Sequence, residues 1–191
     1  MKNQKTAHSA RANTARNLSQ RVRQAAKGDQ RAIQQLYEQH APAMLTTAYR
    51  ITNNLADAED VIQEGFVRSF QQLRKLQDPA AYSGWLKRII VNLALQKQRK
   101  RRHFAPLGQL DLPAAADDEP AWYQSIPFAR IQAAIQDLPN GSREVLSLYL
   151  LEGYKHREIA EWLNISVSTS KSQYQYALRL LRQALQSLRH E

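Results

Sequence analysis

Residues 153–172 read Gly153-Tyr154-Lys155-His156-Arg157-Glu158-Ile159-Ala160-Glu161-Trp162-Leu163-Asn164-Ile165-Ser166-Val167-Ser168-Thr169-Ser170-Lys171-Ser172. Ile159, Ala160, Trp162 and Leu163 recur at helical spacing and mark a short helix. Asn164-Ile165-Ser166 breaks it, with Ser166 placed to cap a longer helix from about 167 to 188. Upstream, Asn140-Gly141-Ser142 caps a run carrying Val145, Leu146, Leu148, Tyr149 and Leu150, which Gly153 ends. A short helix, a three-residue turn and a longer helix with a polar N-terminal face form the helix-turn-helix pattern. The second helix of that pattern enters the major groove of DNA. Helical hairpins that merely pack share the pattern, so on these residues alone both uses stay open.

A second set of helical stripes lies nearer the start of the chain. Ile33, Leu36, Tyr37, Met44, Leu45, Ala48 and Tyr49 recur at three- and four-residue steps, with an interruption expected near Pro42. Asn53-Asn54 supplies a stop and a cap. Ala58, Val61, Ile62, Gly65, Phe66, Ser69, Phe70 and Leu73 then form a stripe of about four turns. Asp78-Pro79 places a capping residue before a proline at a first helical position, and Trp85, Leu86, Ile89, Ile90 and Leu93 follow at helical spacing. No stretch alternates apolar with polar residues as a half-buried strand does. The expected fold class is all-α, with two small helical domains.

The composition agrees. The chain has 191 residues, 43% hydrophobic and 23% charged, which is globular. The absence of cysteine excludes disulfide frameworks, thiol catalysis and Cys-ligated zinc, and no apolar run is long enough to span a membrane. A net charge of +10 favours a polyanionic partner, nucleic acid before an anionic membrane. The charge is also partitioned. Residues 1–27 hold seven Lys/Arg and no acid, and residues 79–102 again hold seven and no acid. Residues 103–128 reverse the sign with Asp111, Asp117, Asp118 and Glu119, and residues 129–191 carry eight basic against six acidic groups. Pro106, Pro113, Pro120 and Pro127 punctuate the acidic stretch, which reads as a linker with a short turn around Trp122 and Tyr123. The expected organisation is a basic flexible tail over 1–27, a helical domain over 28–102, a linker over 103–128 and a helix-turn-helix domain over 129–191. The tail has no apolar core segment, so it is not a secretory signal.

Two segments resemble the conserved regions of extracytoplasmic-function sigma factors, the small class of bacterial RNA polymerase initiation subunits. Asp57-Ala58-Glu59-Asp60-Val61-Ile62-Gln63-Glu64-Gly65-Phe66-Val67-Arg68 resembles the region-two helix that docks on the polymerase clamp. Trp85-Leu86-Lys87-Arg88-Ile89-Ile90-Val91-Asn92-Leu93-Ala94-Leu95 and the basic run after it are similar to the helix that opens the minus-ten element. Leu138-Pro139, Arg143-Glu144-Val145, and 153–172 resemble region four, which reads the minus-thirty-five element. The order and separation of the segments match the family too.

The residues themselves allow several uses. Asp57, Asp60 and Glu64 lie three and four apart, so their carboxylates share a helical face that is solvated, docks a basic partner or holds a metal. His40 and His103 offer no ligand spacing to help a metal. The resemblance implies docking on polymerase by Asp57, Glu59, Asp60, Gln63 and Glu64, with Phe66 as an apolar contact. Trp85, Arg88, Ile89, Asn92, Gln96 and Arg99 fall on one stripe of the next helix. Trp85 and Ile89 fit a core as well as base stacking, the core being the commoner use. The resemblance makes Asn92 a recogniser of unpaired minus-ten bases, with Trp85, Arg88, Gln96, Arg99, Lys100, Arg101 and Arg102 on the same strand. The family often has Asp at the place of Gln96.

In region four the family usually carries arginines where this chain has Gln173, Tyr176 and Leu178. That leaves Lys171, Ser172, Gln173 and Gln175 for base edges, since Gln can pair adenine and Lys guanine. His156 and Arg157 are expected on the DNA backbone. Ser166 and Thr169 serve as caps whose hydroxyls also reach phosphate. Tyr174 and Tyr176 fit core, groove or partner surface alike. The linker's 26 residues span at most about 85–95 Å, enough to bridge elements about 70 Å apart on DNA.

Three functional classes follow. The leading one is a dissociable initiation subunit in the bacterial cytoplasm, with core RNA polymerase and promoter DNA as partners and an anti-sigma factor as regulator. It would have no catalytic residues, cofactor, small-molecule substrate or membrane insertion. The second is a stand-alone helix-turn-helix regulator that binds duplex DNA without polymerase. The third, a metal-dependent nucleic-acid enzyme, has only the Asp57/Asp60/Glu64 cluster to build on.

Overall fold

A computed structural model describes residues 15–102 and 127–187, and among them every regular element is helical. The expected turn at Trp122 and Tyr123 and most of the linker lie outside the described residues. Two compact units divide at residues 97 and 98.

The first unit holds α1 (residues 15–26), α2 (Gln30–Thr52), α3 (Leu55–Gln72) and α4 (Tyr82–Arg102), with single turns of 3-10 helix at Leu73–Lys75 and Pro79–Ala81. Asp29 caps α2 by accepting from the Ala32 N–H at 3.1 Å, and Asn54 caps α3 through the Asp57 N–H at 3.0 Å. Both caps satisfy amides that a helix start leaves unbonded. The α2 helix runs through Pro42, where the sequence suggested an interruption. Pro42 is exposed, so the carbonyl it leaves unbonded one turn earlier faces water rather than the core.

The core of this unit gathers Leu36, Ile51, Val61, Phe66, Tyr82, Leu86, Ile90 and Val91. At Gly65 the α3 backbone comes so close to α4 that a Cβ would stand 2.3 Å from Ile90 Cδ1. His40 links α2 to α4: its Nδ1 is 2.9 Å from the Leu36 carbonyl and its Nε2 2.9 Å from Ser83 Oγ. Burial pushes the Tyr82 phenol up to about 12, against a weaker opposing bond to Ser69. Part of the stretch expected as a flexible tail over 1–27 is ordered, and residues 1–14 lie outside the described residues. Residues 15–26 are helical and bury Val22 and Ala25, because two small apolar residues three apart suffice to seat one helical face.

The second unit holds α5 (Phe128–Gln136), α6 (Asn140–Leu146) with a π-helical turn at Ser147–Leu151, α7 (His156–Leu163) and α8 (Val167–Ser187). Ala134, Ile135, Leu138, Leu146, Ala177, Leu181 and Leu185 form its core cluster. The sequence pattern shows three helices here; α5 is the fourth, and it starts on the last residue assigned to the linker. Arg143 is buried and ties the α5–α6 joint, donating to the Leu138 carbonyl at 3.0 Å and to Asn140 Oδ1 at 2.7 Å.

At the α7 start the Lys155 N–H donates to Glu158 Oε2 at 3.0 Å, one half of a capping box. The other half is missing, since an ammonium has no lone pair to offer the Glu158 N–H. Lys155→Ser is therefore expected to stabilise the second unit by about 1 kcal/mol. The check is a raised urea midpoint at unchanged slope; an unchanged midpoint would show that the N–H already has an adequate partner.

Candidate functional site

The α3 sequence that buries Ala58, Val61, Ile62, Gly65 and Phe66 leaves Glu59, Asp60, Gln63, Glu64, Val67 and Arg68 exposed. Asp60, Gln63, Glu64 and Val67 follow one another along a single stripe. Of the other expected docking residues, Glu59 is exposed beside it and two are buried. Asp57 is buried at the cap of the helix, and Phe66 points into the core with its ring 4.7 Å from Tyr37 and 5.8 Å from Phe70. Phe66 falls on the apolar stripe of α3, which leaves the exposed apolar position to Val67.

The acids are not bare. Lys97 of α4 reaches across to Asp60 Oδ2 at 2.6 Å and Asp57 Oδ1 at 3.3 Å, and Arg68 pairs with Glu64. The bond to Asp60 raises Lys97 above its ordinary value, burial opposes this, and Asp57 adds to the rise. Lys97 therefore stays charged throughout the physiological range. The carboxylates are divided between two cations, and among the described residues no three His, Asp or Glu side chains gather as a metal site.

Along α4, Arg88, Asn92, Gln96 and Arg99 are exposed at steps of four, four and three, while Trp85 and Ile89 are half-buried beside them. Trp85 leans toward Tyr82, with ring centroids 6.2 Å apart. The helix backbone continues to Arg102, which carries Lys100 and Arg101 on the same element.

In the second unit Asn164 takes the left-handed conformation (φ 53°) that turns α7 into α8. Ser166 Oγ caps α8 by accepting from the Thr169 N–H at 2.9 Å. Thr169 and Lys171 are exposed at the start of α8, and Ser172 and Gln175 are half-buried. Two expected DNA contacts are committed elsewhere. Ser142 Oγ donates to Gln173 Oε1 at 2.6 Å, which occupies one lone pair of the oxygen and turns the amide away from the pose a bidentate pair with adenine needs. His156 stacks on Tyr149 at 4.2 Å and 12°, with Nδ1 2.9 Å from the buried Ser170 Oγ. Arg157 is exposed and lies 3.8 Å from Glu161. Tyr174 packs against the core cluster, and Tyr176 lies under Arg179, 5.1 Å from its guanidinium carbon.

Residues 36–104 match the family model described as Sigma-70 region 2, and residues 128–188 match that described as Sigma-70, region 4. ECF RNA polymerase sigma factor SigL of Mycobacterium tuberculosis is 30% identical over 171 residues, a match that covers 88% of this chain and 97% of SigL. The chain belongs to the ECF sigma factor family. ECF RNA polymerase sigma factor SigE of Mycolicibacterium smegmatis is 35% identical over 168 residues; that match takes in 84% of this chain and spans only 65% of SigE. The solved structure of CnrH in complex with the cytosolic domain of CnrY is similar at a TM-score of 0.52 and 26% identity, covering 89% of this chain and 97% of CnrH. No helix among the described residues is long and apolar enough to cross a membrane.

In this sigma factor the region 2 match takes in α3 and α4 with their exposed stripes, and the region 4 match takes in α5 to α8. Sequence reasoning missed Lys97, Arg143 and the Gln173 clamp. All three stood in recognised segments, but nothing local told these roles, because their partners lie on other helices or in a joint that forms only on folding.

His156 yields a pH prediction. Burial, and after it the charge of Lys171, lowers His156 below its ordinary value of 6.5. The unfolded chain then takes up the proton first, so stability from this group is complete above 6.5 and is lost as pH falls below it. An imidazole NMR titration is expected to give a midpoint below 6.5. Acidification from about pH 7.5 to 5.5 is expected to lower the melting temperature by less in His156→Gln than in the parent. A midpoint at the ordinary value would remove the effect, and one above it would reverse the sign.

Proposed function

We propose that this chain binds core RNA polymerase and directs promoter-specific transcription initiation. The α3 face docks on polymerase through Glu59, Asp60, Gln63 and Glu64, with Val67 as the apolar contact in place of Phe66 and Asp57 holding Lys97 beneath them. The α4 stripe of Arg88, Asn92, Gln96 and Arg99, continued by Lys100, Arg101 and Arg102, captures the opened minus-ten strand, with Trp85 at its edge. The start of α8, with Thr169, Lys171, Ser172 and Gln175, reads the minus-thirty-five element, while Ser166 caps the helix and Arg157 contacts backbone. His156 and Gln173 position α7 and α8 instead of touching DNA. Residues 28–102 and 129–191 are the two working domains, joined by 103–128.

The observation that carries this reading is the exposed Arg88–Asn92–Gln96–Arg99 row on a helix whose opposite face buries Leu86, Ile90, Val91, Leu93 and Ala94 in its unit. A buried Asn without partners is costly, whereas an exposed one is free to hydrogen-bond an extruded base. The protein acts as an initiation factor, with the polymerase supplying the chemistry, in the cytoplasm where both partners reside. CnrH is solved with a partner's cytosolic domain, and a regulator of the anti-sigma class is proposed here as well.

The test adds the full chain to sigma-free bacterial core polymerase with fragmented genomic DNA and maps transcript starts. Starts that share two upstream motifs are expected; no starts, with tight duplex binding in the absence of polymerase, would overturn the reading. Within it, Asn92→Ala is expected to slow promoter opening by about tenfold or more, consistent with about 1–3 kcal/mol for a hydrogen-bonded base contact, and to leave core affinity unchanged. Equal loss of both would remove the role assigned to Asn92.

A further inference from the structure

The basic N-terminal stretch has no part in promoter recognition as proposed above. The region 2 match begins at residue 36, beyond α1. One face of α1 is seated by Val22 and Ala25, and Arg21 turns toward Gln39 of α2. On the other face Arg16, Gln20, Arg23 and Lys27 follow at steps of four, three and four, and all are exposed. That spacing makes one stripe, continued past the helix end by Lys27. Arg74 Nε donates to the Ala26 carbonyl at 3.1 Å, which brings Arg74 and Lys75, both exposed, to the same end of α1. A helix C-terminus favours a cation and so accounts for Arg74; it does not account for the row.

The acid nearest this row in sequence is Asp29, already engaged in capping α2. Charged helix faces are most often simply solvated, and they usually mix signs. Here 27 residues carry seven cations and no acid. The patch is also separate from the basic end of α4. Lys97 sits on the first turns of α3, whereas Arg74 follows its far end, about 20 Å along the helix axis.

The chemistry decides the partner. None of the exposed large apolar side chains among the described residues lies in α1 or at 74–75. Protein interfaces are built around an apolar or aromatic centre, whereas contacts to nucleic-acid backbone are polar and strongly positive. We propose that α1 and residues 74–75 form a further nucleic-acid surface, one that holds the phosphate backbone of duplex DNA without reading its sequence. It does not depend on the sigma reading, since a chain that failed to bind polymerase would still carry it.

The experiment compares the full chain with a variant carrying Arg16→Gln, Arg23→Gln, Lys27→Gln and Lys75→Gln; Arg74 is kept because it bonds α1. A fluorescent duplex lacking promoter motifs is titrated at several salt concentrations, and core polymerase affinity is measured in parallel. The slope of log affinity against log salt is expected to shrink by about two to four units, near 0.9 for each phosphate no longer neutralised, with core affinity and helicity unchanged. An equal slope in both proteins overturns the proposal, as does failure of the parent chain to bind the duplex. Loss of core affinity with the slope kept assigns the surface to polymerase instead. Should the fourfold variant lose helicity, Arg23→Gln alone carries the test, with a slope reduced by about one.

Discussion

Phe66→Ala is expected to cost the first unit about 3–5 kcal/mol, while Val67→Ala beside it changes stability by no more than about 0.5 kcal/mol. The contrast follows from one step along α3. Phe66 is 2% exposed, with its ring against Tyr37 and Phe70 where α3 meets α2, whereas Val67 is 55% exposed. Removing a buried phenyl loses its transfer free energy and leaves a cavity that the neighbouring helices fill only in part. Urea denaturation followed by circular dichroism gives both values. The functional effects are expected in the opposite order. At a temperature where both variants are folded, Val67→Ala weakens core polymerase binding more than Phe66→Ala does. A Phe66→Ala protein of near-parent stability and poor core affinity would return Phe66 to the docking surface and remove Val67 from it.

Much of this was legible in the residues. The caps at Asn54 and Ser166 were visible because Asn and Ser stand immediately ahead of apolar periodicity, and a cap is a local hydrogen bond. The face shared by Asp60 and Glu64 was visible for the same reason, since helical period sets which side chains align; Asp57, read onto that face with them, is buried near the helix start. Phe66 was misplaced although its period was right. It lies on the buried stripe with Val61, Ile62 and Ser69, and only family resemblance drew it to the surface. The helix at 15–26 was hidden because its buried face is made by Val22 and Ala25 inside an otherwise polar, basic stretch, and composition averages away so small an apolar pair. Lys97 with Asp60, and Gln173 with Ser142, join residues 37 and 31 positions apart. No local pattern encodes such pairs; they exist only once helix packing has set which ends meet. They matter for function because they withdraw groups from the surface. An acidic face crossed by Lys97 is less negative than its sequence, and a glutamine held by Ser142 is a weaker reader of bases than its position on α8 suggests.

Reversing Asp60 and Glu64 together to Lys is expected to lower core polymerase affinity by about 100-fold or more, near 3 kcal/mol, because like charges facing each other across an interface cost several kcal/mol. The cost to folding is small by comparison. Asp60 and Glu64 side chains are 69% and 53% exposed, and exposed ion pairs contribute up to about 1 kcal/mol each. Asp57 remains to hold Lys97, so the α3–α4 packing keeps one of its two anchors. The neutral pair Asp60→Asn with Glu64→Gln separates attraction from repulsion. It removes the carboxylates without adding cations beside Lys97 and Arg68, and is expected to weaken core binding by only about tenfold, in the range of a lost charge-assisted hydrogen bond. Rising salt should then narrow the gap between parent and charge-reversed protein, since the repulsion is screened, while the smaller gap left by the neutral pair persists. Parent-like affinity in the charge-reversed protein would mean that Lys97 and Arg68 already neutralise this face completely. Docking would then rest on Val67 and the remaining exposed residues of α3, and Asp60 would serve the fold by holding α4 in place.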